Sequence, residues 1–404
     1  MTRALAWILS CILLGCSALS SPARAQYAPE RESDLWLRAL LDIRLVGGGP
    51  APSWTDSGPG KMRYGGSFTD SGFERATRVV LSQAALQVGA YLPWGLRARA
   101  QVNIEPDIAG NYKPWLIEAI LRREWGDERV GWGMQGGVMN VPFSLENTGP
   151  AWTPEYTVSA SALNSWLWED ISLAGAEAEG WYVSESGVRL GALLGAGYGG
   201  DQIGRLLALR GWVIGDTLAG INGDLALPTH GQRTNIFSEQ DHRPALYTWL
   251  SVGDAAKIAS VDLGVIDNGG DESTPTVWHT HFTTVGVVLN PYRRVDLLAQ
   301  YLTGTARVHA PANDSEMSAY YVLLSYHYLR QRLSLRYDSF RIHDLDGGPA
   351  TGEHGDAETA AYLIEIGLRQ RIALEYVWMH SHRDATGSLN PTPTGWQLSY
   401  RIRY

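Results

Sequence analysis

Leu96-Arg97-Ala98-Arg99-Ala100-Gln101-Val102-Asn103-Ile104-Glu105 alternates apolar and polar residues without a break. Successive side chains of an extended chain point to opposite faces, so Leu96, Ala98, Ala100, Val102 and Ile104 share one side. Arg97, Arg99, Gln101, Asn103 and Glu105 share the other. One face suits hydrocarbon and the other water. The stretch from Trp396 to Tyr404 repeats the rhythm, with Leu398, Tyr400 and Ile402 opposite Gln397, Arg401 and Arg403. Leu37 to Leu45 does so with Arg38, Asp42 and Arg44 on its polar face. Val188 to Tyr198, Ala259 to Val265, Leu333 to Asp338 and Arg371 to Trp378 are less regular versions, and they set Arg332, Arg336, Asp338, Arg371 and Glu375 on polar faces.

Turn-rich stretches separate these runs, among them Asp267-Asn268-Gly269-Gly270-Asp271 and Asp346-Gly347-Gly348-Pro349. Counting the runs predicts about 16 strands of the length a tilted membrane strand requires. Some connections read as tight, at Pro291-Tyr292 and Arg330-Gln331, and others as long and polar. No run after the N-terminus approaches the roughly 18 apolar residues of a spanning helix. A soluble β-sandwich also alternates, but it buries bulky Leu, Ile, Val and Phe in a core about 10 Å thick. Here the apolar faces are rich in Ala, Gly, Tyr and Trp, with 16 Trp and 19 Tyr against 6 Phe. Residues with one apolar and one wet end suit a membrane interface. The expected fold is an all-β, transmembrane antiparallel barrel, since closure alone leaves no unpaired edge in lipid.

The N-terminus reads as a secretory signal: Arg3 is the positive region, Ala4 to Leu14 the apolar core, and Ala23-Arg24-Ala25 the cleavage site. Residues 1–25 are thus expected to be removed and 26–404 to form one barrel, with no linker dividing it. Leu13-Leu14-Gly15-Cys16 allows an alternative, cleavage before a lipidated Cys16. Both cysteines, Cys11 and Cys16, fall in this segment, which excludes a disulfide framework, a cysteine-ligated metal and a thiol nucleophile from the mature chain. The net charge of -9 (33 basic, 42 acidic residues) becomes 31 - 42 = -11 once Arg3 and Arg24 are gone. Such a chain does not suit nucleic acid.

Gly136-Gly137-Val138-Met139-Asn140-Val141-Pro142-Phe143-Ser144-Leu145-Glu146 resembles the phosphate-selective porin family of outer-membrane channels, in which a strand ends in a similar pattern before a long loop. Val130 to Met139 reads as that strand, and Asn147 to Asp170 is too long for a hairpin. The resemblance implies that the loop folds into the bore and constricts it, and that the protein is a homotrimer. The aromatic Tyr404 looks like the C-terminal signal of such barrels. Selective family members carry an arginine ladder and a lysine cluster, whereas Lys61, Lys113 and Lys257 are the only lysines here. Phosphate selectivity is therefore not expected.

The loop residues Glu146, Trp152, Glu155, Tyr156, Asn164, Trp166, Trp168, Glu169 and Asp170 would present carboxylates and aromatic faces suited to sugars or cations. The plainer reading is that these tryptophans pack the loop against the wall. The inward Arg38, Arg44, Arg97, Arg99, Arg332, Arg336, Arg371, Arg401 and Arg403 would line the pore with Gln101, Asn103, Asp42, Glu105, Asp338 and Glu375, largely neutralised in pairs. His279 with His281, and His380 with His382, share faces but lack a third ligand, and Asp344-Leu345-Asp346-Gly347 lacks most of a calcium loop, so no metal or other cofactor is expected. No G-x-S-x-G elbow occurs, and catalysis is not expected. The expected function is passive diffusion of small polar or charged solutes across a Gram-negative outer membrane, with lipid as the surrounding partner. The alternatives are a barrel enzyme acting on phospholipid or peptide, and a non-conducting scaffold.

Overall fold

The computed structural model describes residues 34–56, 58–70, 72–106, 112–218, 220–227, 233–274, 276–309, 312–346, 352–383 and 394–404. The expected signal, its cleavage site and Cys16 lie outside these residues, as do Gly347, Gly348 and Pro349.

Sixteen strands close into one antiparallel barrel. They are β1 (Leu35–Gly48), β2 (Thr77–Leu92), β3 (Leu96–Pro106), β4 (Tyr112–Gly126), β5 (Val130–Met139), β6 (Leu173–Val183), β7 (Val188–Tyr198) and β8 (Ala245–Asp254). The second half comprises β9 (Ala259–Asp267), β10 (His279–Tyr292), β11 (Val295–His309), β12 (Ala312–Tyr328), β13 (Gln331–Asp344), β14 (Glu353–Ile366), β15 (Gln370–Arg383) and β16 (Thr394–Arg403). Each strand pairs with its neighbours in sequence, and β1 meets β16 in a seam running from Leu40↔Arg403 to Gly48↔Gly395. Two tight turns sit slightly later or earlier than the turn residues suggest. Tyr292 still pairs, with Val295, so that turn is Arg293-Arg294, and Gln331 pairs with Tyr328 around Leu329-Arg330. Pairing extended past Pro291 because its missing N–H falls at the strand end, where the ladder is already irregular.

Alternation runs along the strands and is reset at irregularities between Asp42 and Ile43 of β1 against β2 and between Gln101 and Val102 of β3 against β4. On β12, Tyr320, Val322, Leu324 and Tyr326 are all exposed, while Ala319, Tyr321, Leu323 and Ser325 are buried. The six steps from Tyr320 to Tyr326 cover about 20 Å at ~3.4 Å each. Tyr301 and Tyr337 lie beside Tyr320 or its neighbours across the sheet, and Tyr362 and Tyr400 occupy the level nearer the tight turns. Two aromatic levels flank an aliphatic band, the arrangement expected of a lipid-facing barrel wall.

Much of the interior is filled. Described segments of the three long connections that follow β1, β5 and β7 turn inward from the end opposite the tight turns. The second carries helix α1 (Ala162–Asp170), and the third carries the short helix α2 (Arg205–Arg210). Ser161 caps α1, its hydroxyl accepting from the Asn164 N–H at 3.2 Å. Gly204 (φ 90°) and Gly211 (φ 83°) bracket α2, and a side chain on Gly211 would overlap the Glu353 carboxylate. Trp166 on α1 packs edge-on to Trp212 and Phe282, with ring centroids 6.0 and 5.1 Å apart. Val141, Phe143, Leu163, Leu167 and Leu207 join wall residues Met317, Phe340, Ile342, Val377 and Met379 in an apolar core inside the barrel.

Candidate functional site

Ion pairs join the plug to the wall. Arg44, fully buried on β1, reaches Asp216 of the third connection at 2.5 and 3.1 Å, Asp42 at 2.7 Å and Gln397 at 2.9 Å. Asp216 is shared with Arg63 of the first connection at 2.8 Å, and Arg63 continues to Glu105 on β3 at 3.0 Å. Arg401 closes the group on Asp42 at 2.9 Å and donates to Thr153 at 3.0 Å. The two guanidiniums beside Asp216 hold its carboxyl below the usual carboxylate range against the opposing effect of burial.

A second group seats the loop bearing α1. Arg336 binds Asp338 at 2.8 Å, Glu146 at 3.1 Å and the Ser159 and Ala160 carbonyls at 2.8 and 2.9 Å. Glu146 in turn accepts from Asn164 at 2.7 Å and from the Ser161 amide at 2.9 Å. Glu375 accepts from the Val158 amide and the Ser159 hydroxyl at 2.6 Å each, and Asp338 accepts from the Ala162 amide at 3.0 Å. The Val158, Ser159 and Ala162 amides, which could not remain bare inside a barrel, thus end on wall carboxylates. α1 and α2 are tied together where Arg210 meets Glu169 at 2.6 Å and where Asp170 accepts from Trp166 at 2.7 Å and the Gly204 amide at 2.8 Å. Burial pushes the Asp170 carboxyl up to about 7. Lys61 is buried as well, 2.7 Å from Glu353, and burial pushes its ammonium down to about 8.

Toward the tight turns the packing opens into a cavity of about 560 Å³. Its wall carries Trp36, Arg38, Arg97, Arg99, Arg122 and Asp262, and the loop contributes Trp152 and Glu155. The arginines are engaged: Arg99 is bidentate on Glu118 at 2.5 and 2.9 Å, Arg97 pairs with Glu124, and Arg122 bridges Glu124 at 2.8 Å and Glu179. Arg38 lies over the Trp36 ring at 4.6 Å and Arg99 over Trp152 at 5.5 Å. Such a space, ringed by charge with aromatic faces, has the size of a small-molecule site.

The polar-face residues singled out in the sequence all point inward, but into different surroundings. Arg38, Arg97 and Arg99 reach the cavity, while Gln101, Asn103 and Glu105 form a buried ladder of side chains linked at 3.1 and 3.3 Å. Arg332 pairs with Asp296 at 2.9 Å and stacks over Tyr156, and Arg371 and Arg403 converge on Glu365 at 2.5 and 2.7 Å. Of the loop residues, Trp152 and Glu155 face the cavity. Glu146, Tyr156, Asn164, Trp166, Trp168, Glu169 and Asp170 are instead buried against protein, because the loop meets a second and third inward segment rather than water. Sequence reasoning missed those two segments and with them Lys61, Arg63, Arg210 and Asp216. Their signal was an apolar run, Ile203 to Ile214, inside an otherwise polar connection. His279 contacts Glu272 at 2.9 Å and Asp267 at 3.2 Å, and His380 contacts Asp356 at 3.6 Å.

No protein-family model matches the sequence, and no curated protein matches it. Among solved structures the barrel is similar to an anion-selective porin from Comamonas acidovorans (TM-score 0.55, 11% identity, 92% of this chain and 99% of that one). It is also similar to in-vitro folded OmpT of Vibrio cholerae in its trimer form (TM-score 0.53, 10% identity, 92% and 99%). A third is the outer membrane channel DcaP of Acinetobacter baumannii (TM-score 0.52, 11% identity, 91% and 97%). The shared feature is the porin-type barrel, and nothing in it is specific to the phosphate-selective family that residues 136–146 resemble.

Proposed function

We propose that this chain is a non-enzymatic outer-membrane channel of the porin type, exported by its cleaved N-terminal signal, that passes small polar or charged solutes along a route narrowed by the plug. The carrying observation is the charged cavity of about 560 Å³ enclosed by a wall whose outside is aliphatic and aromatic. Arg38, Arg97, Arg99, Trp152 and Glu155 are its proposed solute contacts. The mixed signs there favour dipolar solutes such as sugars over phosphate, since the arginines are already paired. Assembly as a homotrimer is part of the same reading, supported by the trimeric neighbour, and light scattering of the detergent-extracted protein tests it.

The apolar packing of plug on wall favours a second reading, a barrel that serves as a closed scaffold. Planar-bilayer recording separates the two. A channel held narrow by ion pairs gives small conductance steps in the wild type and larger ones in Asp216→Ala, which leaves Arg44 to Asp42 and Arg63 to Glu105 and so costs less than the about 3 to 5 kcal/mol of a fully broken buried pair. A scaffold gives no steps in either protein, and that outcome defeats the channel reading.

A further inference from the structure

Where the chain leaves β7 it runs beside the chain about to enter β8. Gly200 bridges Ser238 in parallel, the Asp201 amide donates to the Ser238 carbonyl at 3.1 Å, and the Ser238 amide donates to the Gly199 carbonyl at 3.1 Å. The pairing sets Asp201, Glu239 and Asp241 together, with one carboxylate oxygen of each within 4.8 Å of the others. Asp201 is 1% exposed, and the other two are half-buried.

Backbone amides fix the three groups from outside. Gly199 donates to Glu239 Oε2 at 2.8 Å, Arg243 and Asp271 donate to Asp241 Oδ1 and Oδ2 at 2.8 and 2.6 Å, and Gln240 donates to Asp201 Oδ2. Asp201 Oδ1 and Glu239 Oε1 are buried yet accept no hydrogen bond. Among the described residues no basic side chain forms an ion pair with any of the three, and the guanidinium of Arg243 is engaged with Asp271 at 2.8 Å. Three like charges and two bare, buried oxygens held to one point are unfavourable without a counter-charge.

We propose that Asp201, Glu239 and Asp241 bind a hard divalent cation, Ca²⁺ by preference. All three donors are carboxylate oxygens, with neither imidazole nor thiolate, which selects against zinc and copper. Two oxygens on opposite sides of Ca²⁺ lie about 4.8 Å apart at its usual ~2.4 Å bond length, so three oxygens all within 4.8 Å of one another are within reach of one ion after small side-chain shifts. Ca²⁺ also tolerates an irregular shell, and the half-exposed side of the cluster leaves positions for water. The ion fastens the exit of β7 to the entry of β8, and through Asp241 to the loop at Asp271. The site is independent of whether the barrel conducts.

The full chain, folded in detergent and stripped of metal with a chelator, is titrated with CaCl₂ alone by calorimetry, and with Tb³⁺ read by tryptophan-excited luminescence. Trp278 is a suitable donor, since its amide bonds to the Asp201 carbonyl at 2.8 Å. The expected result is a single site in the range of about 0.1 to 1 mM, weakened about tenfold or more in Asp201→Asn and in Glu239→Gln. Glu185→Gln, exposed at a tight turn, should bind as the wild type does. Gel migration without boiling confirms that each variant is folded, and Asp241→Asn substitutes for any that is not. A folded wild type that takes up no Ca²⁺ at several times that concentration overturns the proposal, leaving only a carboxylate knot sharing protons. Equal binding by the wild type and every ligand variant overturns it too.

Discussion

Leu324 and Asp170 show how one barrel imposes opposite demands on single residues. Leu324 faces outward in the aliphatic band between Tyr320 and Tyr326, so Leu324→Arg should cost about 2 to 4 kcal/mol in a denaturant titration of the refolded protein, whereas Leu329→Arg in the tight turn should cost about 0 to 1. Equal costs would contradict the assigned band. Asp170 sits on the inner side, with its folded pKa raised from 3.8 to about 7. Between those values the seated loop binds a proton that the released loop does not, so seating is strongest at low pH and weakens as pH rises through that window. Hydrogen exchange of residues 162–170 should therefore quicken from pH 5 to pH 8 beyond the intrinsic rate change. Asp170→Asn should flatten that excess, and an unchanged excess in the variant would contradict the assignment.

The strands were legible because a dyad period survives any tertiary context: Val130–Met139 and Val188–Tyr198 end where the alternation ends. The inner segments were not. α1 lies in a stretch that reads as loop, because a helix buried on every side has no amphipathic face, and all of Ala162–Asp170 is buried. α2 depends on its glycines instead of on any stripe. Gly211→Ala places a Cβ against Glu353 and holds a side-chain-bearing residue at φ 83°, ψ −174°, a region essentially confined to glycine, at a cost of about 1 to 3 kcal/mol. Protease cleavage between 199 and 218 should accelerate in that variant while unboiled gel migration stays that of the closed barrel. Unaltered cleavage would show that this segment is held by other means. The acidic trio is not legible in the sequence for another reason: Asp201 lies far along the chain from Glu239 and Asp241 and meets them only through a chain reversal between two strands.

At the scale of the molecule, apolar surface is buried twice, once against lipid and once within the bore. Trp54, Trp166 and Trp212 belong to the inner layer, while Trp94, Trp132 and Trp378 are exposed on the outer one. The inner layer is tied to the wall covalently only at the ends of its connections, and between those ends it is seated on the wall by side-chain contacts. Denaturation should accordingly proceed in two steps. Tryptophan emission shifts to the red as the plug leaves, at a denaturant concentration where the unboiled gel still shows the compact barrel. Coincident transitions would mean that plug and wall form one cooperative unit.

The seam between β1 and β16 sets an order of events in assembly. Until the chain is made through Arg403, the free side of β1 presents an open row of amides and carbonyls able to capture any passing strand. Asp42 marks the native register at that junction, since it gathers Ser399 at 2.7 Å and Arg401 at 2.9 Å from the last strand while holding Arg44 from its own. A slip of one residue would turn Arg401 out to the acyl chains and leave Asp42 without it, so electrostatics favours the native register over its nearest alternatives.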